Sequence, residues 1–244
     1  MFTNELQIIM PAAGKGARLG LPYSKHLHRL EPDYSLIDYS LEEALRIFPA
    51  ITTLNLVVTI ETNSVWEYLT QRYGNRLTLN KILVDDHGGE YTLSIKLGMQ
   101  DLNCDYLILL PDSHWKCSLL PNEIHQIIQD NSANNKISFF TKTADQETLK
   151  RRGAFQLDSD GRVAGYFDKP NQEKVQLCSS YWGAFYLPKG NLGLDYMHQS
   201  TNQLELDQSL LRYILDAAPI PLDHYFDLGT WAEIKLFCDE ILNP

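Results

Sequence analysis

With 244 residues and a formal net charge of −10, the chain is long enough to bury a sizeable α/β core. It is too acidic to present a nucleic-acid or anionic-membrane surface, whose phosphates would meet a repulsive field. Its longest apolar runs, such as Tyr106-Leu-Ile-Leu-Leu110, are strand-length and fall far short of the ~20 apolar residues of a membrane span. The first residues, Met1-Phe-Thr-Asn-Glu5, lack the basic start and apolar run of a signal peptide. Cys104, Cys117, Cys178 and Cys238 are scattered and never form a Cys-x-x-Cys pair. A cytoplasmic protein with free thiols is therefore expected.

In chain order, Leu6–Met10 reads as a strand. Ser35 is placed to cap a helix from Leu36 to Phe48, with Leu36, Ile37, Leu41, Ala44, Leu45 and Phe48 on one face. A strand at Asn55–Ile60, a helix through Trp66 and Leu69, a strand at Leu77–Val84, a helix at Tyr91–Met99 and a strand at Tyr106–Leu110 follow. Pro121–Gln129 and Ile137–Thr141 extend the alternation. This order predicts an α/β fold: a mostly parallel, Rossmann-like central sheet with helices on both faces. After about Lys150 the texture changes. Ala154–Leu157 and Arg162–Phe167 flank the turn Asp158-Ser-Asp-Gly161, a hairpin signal. Tyr181–Tyr186 reads as a strand, Asp207–Ala217 as helical, and Thr230–Leu242 as a helix capped by Thr230. The expectation is one domain over residues 1–244, with a first half to about 145 and a smaller, partly antiparallel second half from about 146.

Met10-Pro-Ala12-Ala13-Gly14-Lys15-Gly16-Ala-Arg18-Leu-Gly20 is the most informative segment, directly after the first strand. Gly14 and Gly16 let the backbone turn sharply and approach a ligand, and successive N–H groups in such a turn form an anion-binding concavity. Lys15, Arg18 and Lys25 add three positive charges, a density that a metal-bound triphosphate requires. Gly14-x-Gly16-x-x-x-Gly20 is also a variant of the dinucleotide-binding fingerprint. Against that, Pro22 signals a long loop where a helix should begin at once, and no acidic residue follows at the expected distance.

Asp112 stands just past the strand Tyr106–Leu110, where open α/β sheets bind ligands. Tyr225-Phe-Asp227-Leu-Gly-Thr230 repeats the arrangement. Mg²⁺ prefers oxygen ligands and is commonly held by one or two carboxylates plus substrate phosphates, so Asp112 and Asp227 are the candidate metal ligands. Taken alone, Asp227 reads more simply as a cap for the last helix or an Asx-turn, and Asp112 could likewise be a turn residue. His114 and Cys117 have zinc-compatible spacing but no second pair. Gly165-Tyr-Phe-Asp168-Lys169-Pro170 ends a predicted strand. Asp86-His-Gly88-Gly89 opens a helix carrying Ser94, a position suited to close approach by a nucleotide.

Together these segments resemble the sugar-nucleotide pyrophosphorylases, particularly the glucose-1-phosphate thymidylyltransferase-like enzymes. The resemblance runs from Ile8 to about Ile234. It implies that Arg18 and Lys25 are catalytic and that Ala12, Ala13, Gly14, Lys15, Gly16, Gly88, Gly89, Ser94 and Asp112 contact the nucleotide. It further implies Mg²⁺ on Asp112 and Asp227, and acceptor contacts from Gly153, Asp168, Lys169 and Trp182. The implied reaction joins a nucleoside monophosphate from an NTP to a sugar 1-phosphate and releases pyrophosphate. The partners would be those two small molecules, with no nucleic acid and no membrane, and relatives often form homo-oligomers. Ala17 stands where many members have Thr, Asp168 stands where they have Glu, and the Arg-Gln that follows Gly-Gly in the related cytidylyltransferases is missing. Ala17 and Asp168 leave room for a nucleotide-binding regulatory protein without catalysis, and a cytidylyltransferase acting on a choline, alditol or methylerythritol phosphate is the rival that changes only the acceptor.

Overall fold

The computed structural model describes residues 6–14, 16–85, 91–101, 103–190 and 211–242. The strands are β1 (Leu6–Pro11), β2 (Arg29–Glu31), β3 (Tyr34–Ser35), β4 (Thr53–Val58), β5 (Thr78–Leu83), β6 (Asp105–Leu109), β7 (Ser113–Lys116), β8 (Ser138–Thr143), β9 (Gly153–Leu157), β10 (Val163–Asp168), β11 (Ser180–Leu187), β12 (Ile220–Pro221) and β13 (His224–Asp227). The helices are α1 (Leu36–Ile47), α2 (Asn63–Tyr73), α3 (Tyr91–Gly98), α4 (Pro121–Ala133), α5 (Gln146–Leu149) and α6 (Trp231–Phe237). The fold is mixed α/β, with a mostly parallel central sheet, flanking helices and smaller antiparallel sheets. Among the described residues no helix is long and apolar enough to cross a membrane.

Two compact units divide the chain. Among the described residues, one comprises 6–14, 16–85, 91–100, 108–116 and 224–242; the other comprises 101, 103–107, 117–190 and 211–223. The first unit is built on the parallel ladder β1–β4–β5, in which Ile9 faces Asn55 and Asn55 faces Asn80. Ile8, Ile9 and Met10 are fully buried, as are Leu54, Leu56, Val57 and Val58. Each such side chain contributes about 1.5–3 kcal/mol by leaving water. A polar seam crosses these strands: Asn55 donates to Gln7 Oε1 (2.8 Å) and accepts from Asn80 Nδ2 (2.9 Å). The ladder is thus less apolar than the sequence pattern suggests, because these amides satisfy one another inside it.

α1 buries its predicted face completely. Asp38 at its third position accepts the Ser35 N–H at 2.7 Å, the reciprocal half of a capping box. The same carboxylate, itself fully buried, accepts from Tyr68 (2.5 Å) and Tyr73 (2.8 Å) and pairs with Arg72 at 3.1 Å, tying α1 to α2. At the other end of this unit, Leu19, Leu36, Phe226, Leu228, Ile234 and Phe237 form a separate cluster under α6. Thr230 caps α6 as expected, its Oγ1 accepting from Glu233 N at 3.3 Å. The helix does not continue regularly to Leu242: Cys238–Leu242 winds into a wider π turn.

The second unit carries the antiparallel pairings β9–β10, β9–β11 and β8–β11, with β12 running parallel to β8. The β9–β10 hairpin is where the sequence placed it. Asp158 Oδ1 accepts from the N–H groups of Asp160 and Arg162, and Gly161 takes a left-handed φ of 75°. α4 anchors this unit through buried Asn131, which donates to Ser138 Oγ and Ala218 O and accepts from Ala218 N. Of the predicted helix Asp207–Ala217, residues 207–210 lie outside the described residues. The rest is a single turn that stops at Asp216, whose left-handed φ of 66° ends the helical path. Residues 117–145 fold into this unit, and residues 224–242 fold into the other.

Candidate functional site

A cleft of about 300 Å³ opens in the first unit, at the C-terminal end of β1. Its wall includes Ala13, Gly14, Arg18, Lys25, Ser94, Asp112 and Asp227, all singled out in the sequence. The loop after β1 does not enter a long helix, the feature a dinucleotide-binding loop requires. Ala12 N–H first donates to Val57 O at 2.8 Å, keeping the chain in register with β4; Ala12 itself is buried, while Pro11, Ala13 and Gly14 line the cleft. Two short 3₁₀ turns follow, Ala17–Leu19 and Lys25–Leu27. Gly16 has a φ of 64°, and a β-carbon there would lie 2.8–3.0 Å from the Lys25 stem. Only glycine therefore allows this turn to lie against the lysine. Lys15, Gly88 and Gly89 lie outside the described residues.

Asp112 follows β6 as expected, and a second arrangement brings Asp227 beside it. β7 and β13 pair antiparallel with Ser113 opposite Asp227, and Leu228 N–H donates to Asp112 O at 2.7 Å. A β-carbon on Gly229 would meet Asp227 Oδ1 at 2.8 Å, Arg18 Nη2 at 2.9 Å and Asp112 Oδ2 at 3.1 Å. Two carboxylates and a guanidinium thus converge over one bare glycine, whose N–H also donates to Asp227 Oδ1 at 3.1 Å. Lys25 Nζ donates to Asp112 Oδ2, in an ion pair whose side chains are each only 11% exposed. Burial alone would raise the Asp112 carboxyl; the Lys25 ammonium and His26 outweigh it and hold the group below the usual carboxylate range.

His26, Tyr91 and Gly229 complete the site and were not assigned roles from sequence. The Asp227-x-Gly229 spacing carried a signal for the glycine; a histidine in a loop carried none. His26 is 2% exposed, and burial lowers its pKa to about 4, partly opposed by Asp112 and reinforced by Lys25. The described side chains therefore balance: Arg18 and Lys25 against Asp112 and Asp227, with His26 neutral. Among the described residues no three His, Cys, Asp or Glu side chains gather as a metal cage. A pair of carboxylates in a neutral cleft is nevertheless the donor set that suits Mg²⁺ bound jointly with phosphates. Without a cation, the two carboxylates would repel a polyphosphate.

The loop is fastened from behind. Trp231, the first residue of α6, donates its indole N–H to Leu19 O at 3.1 Å, and its ring meets His28 edge-on with centroids 5.3 Å apart. His28 Nδ1 lies 3.0 Å from Tyr23 Oη.

The residues expected to hold an acceptor lie together in the other unit. Asp168 pairs with Gly153 across β10 and β9, and Lys169 N–H donates to Arg152 O at 3.0 Å. Lys169 takes a left-handed φ of 46°, and both Asp168 and Lys169 are exposed. Trp182 Nε1 donates to Tyr166 Oη at 3.3 Å, and those two polar atoms occupy the space where a β-carbon on Gly153 would sit.

No protein-family profile matches the chain, and no curated protein sequence matches it. Solved structures do. UTP-bound UGPase from Acinetobacter baumannii is 15% identical, with a TM-score of 0.71 over 97% of this chain and 95% of that one. A UDP-glucose pyrophosphorylase crystallised with UDP-glucose is 16% identical, with a TM-score of 0.70 over 94% and 95%. A Bacillus anthracis protein assigned as a glucose-1-phosphate thymidylyltransferase, crystallised with sucrose, is 16% identical, with a TM-score of 0.70 over 95% and 93%. The chain has the fold of these sugar-nucleotide pyrophosphorylases, shared over nearly its whole length.

Proposed function

We propose that the protein is a nucleotidyltransferase that moves a nucleoside monophosphate from an NTP to a sugar 1-phosphate and releases pyrophosphate. The observation that carries this reading is the convergence of Arg18, Lys25, Asp112 and Asp227 beside a glycine turn. That set combines cations for phosphate oxygens, carboxylates for a divalent ion and backbone room for close approach. The likeness of fold to enzymes of this kind supports it.

The chemistry is an in-line displacement at the α-phosphorus. The acceptor phosphate is already ionised near neutral pH, so no general base is needed, and catalysis rests on positioning and charge neutralisation. Gly14 and Gly16 let the backbone cradle the triphosphate. Arg18 holds the departing pyrophosphate, with Lys15 assisting. Lys25 stabilises the α-phosphate, and its ion pair with Asp112 keeps it extended across the cleft until the nucleotide arrives. Asp112 and Asp227 would hold Mg²⁺, which supplies compensation for the charge developing on the phosphates. Ser94 and the Gly88-Gly89 segment are assigned to the nucleotide, and Gly153, Asp168, Lys169 and Trp182 to the acceptor. The shorter acid at Asp168 favours an acceptor whose hydroxyl pattern differs from that read by Glu. The four free thiols suit action in the cytoplasm.

The test is pyrophosphate release with Mg²⁺, each NTP and dTTP in turn, and a panel of sugar 1-phosphates and polyol phosphates. Release requiring one nucleotide and one sugar phosphate is the expected result. Release only with choline, alditol or methylerythritol phosphate would move the protein to the cytidylyltransferases. An NTP that raises the melting temperature with no release from any pair would overturn the enzymatic reading.

A further inference from the structure

His26 lines the cleft although it is only 2% exposed. Leu27 N–H donates to Ser24 O at 3.0 Å and His28 N–H to Lys25 O at 2.9 Å, a tight turn that places Lys25 and His26 side by side on the cleft wall. The imidazole Nδ1 lies 3.1 Å from the hydroxyl of Ser24, itself buried. Among the described residues the other ring nitrogen has no hydrogen-bond partner. His26 lines the cleft, so that nitrogen is open to a partner that enters there.

Resting on the cleft's reading as a polyphosphate site, we propose that His26, protonated on Nε2, donates a hydrogen bond to a phosphate oxygen of the bound nucleotide. In this arrangement the Ser24 O–H donates to Nδ1 and the imidazole proton sits on Nε2, the nitrogen without a partner. An uncharged donor suits a place next to the Lys25 ammonium, where a second cation would be repelled. The ring contributes a fixed dipole, while Lys25 and Arg18 contribute the charge.

The test compares His26→Gln with His26→Asn in calorimetric titrations of inorganic tripolyphosphate with Mg²⁺. The Gln amide nitrogen reaches as far as Nε2; the Asn amide reaches only as far as Nδ1. The expected result is affinity within about threefold of the natural protein for His26→Gln and a loss of about tenfold or more for His26→Asn, the scale of one hydrogen bond to a charged group. Equal affinity in His26→Asn, or equal losses in both variants, would overturn the proposal. Should His26→Asn fail to fold, ¹⁵N spectra of the natural protein decide. A proton on Nε2 whose resonance moves with tripolyphosphate supports the proposal, and a proton on Nδ1 or an unmoved Nε2 overturns it. If the natural protein binds no tripolyphosphate, the reading of the cleft fails first and this assignment with it.

Discussion

Lys25 and Asp112 test the site at its centre, because each is held by the other and both face the same cleft. Lys25→Ala and Asp112→Asn should each lower kcat by at least about a hundredfold, the scale of losing one preorganised electrostatic contact. Turnover within a few-fold of the natural protein in either variant would remove that residue from the chemistry. Gly229→Ala probes the convergence itself. Its new methyl would lie within 2.8–3.1 Å of the ends of Asp227, Arg18 and Asp112. Those ends can swing aside, so the melting temperature should barely move while kcat falls about tenfold or more, as misplaced catalytic groups do. Unchanged kcat would mean that the three side chains need not stand where the structure has them. Much of this was legible in sequence: Gly14, Arg18, Lys25, Ser94, Asp112 and Asp227 all reach one cleft. Ala12 was legible only as part of the motif; it is fully buried between Pro11 and Ala13, which line the cleft.

At the scale of elements, the C-terminal segment does two jobs for the glycine loop: β13 brings Asp227 to Asp112, and Trp231 at the head of α6 holds Leu19. Trp231→Phe keeps the ring against His28 and loses the hydrogen bond. It should cost about 1 kcal/mol in urea unfolding and raise KM for the NTP more than it lowers kcat. A normal KM would show that the loop holds its shape unaided. Asp38→Ala should be far more damaging, about 3–5 kcal/mol, because it leaves the Arg72 guanidinium and two tyrosine hydroxyls without their shared acceptor. The α1 face and the β9–β10 hairpin were readable because long periodicity and turn chemistry are local signals. β7 was not, because Ser113-His-Trp-Lys116 is too short to show a period and becomes a strand only by pairing with β13. Without that pairing nothing in the sequence places Asp112 and Asp227 side by side. The wide turn at Cys238–Leu242 and the early stop at Asp216 likewise lack local signals, since Asp enters the left-handed region only occasionally.

For the whole molecule, the sequence spoke for an α/β chain whose character changes along its length, and the architecture bears this out with a parallel ladder in one unit and antiparallel pairing in the other. The chain trace between the units was hidden, because it depends on which strands pair and not on what each strand contains. The acidic balance of the whole chain contrasts with a cleft whose described charged side chains balance. The most direct measurement of the central claim follows the label. The protein would be incubated with Mg²⁺, a sugar 1-phosphate and the productive NTP, labelled either at the α-phosphate or at the γ-phosphate. The account predicts that α-label appears in a nucleotide sugar and γ-label in pyrophosphate, in equal amounts, and that Asp112→Asn abolishes both. Label released from the γ-position as inorganic phosphate, with none in a sugar product, would contradict it.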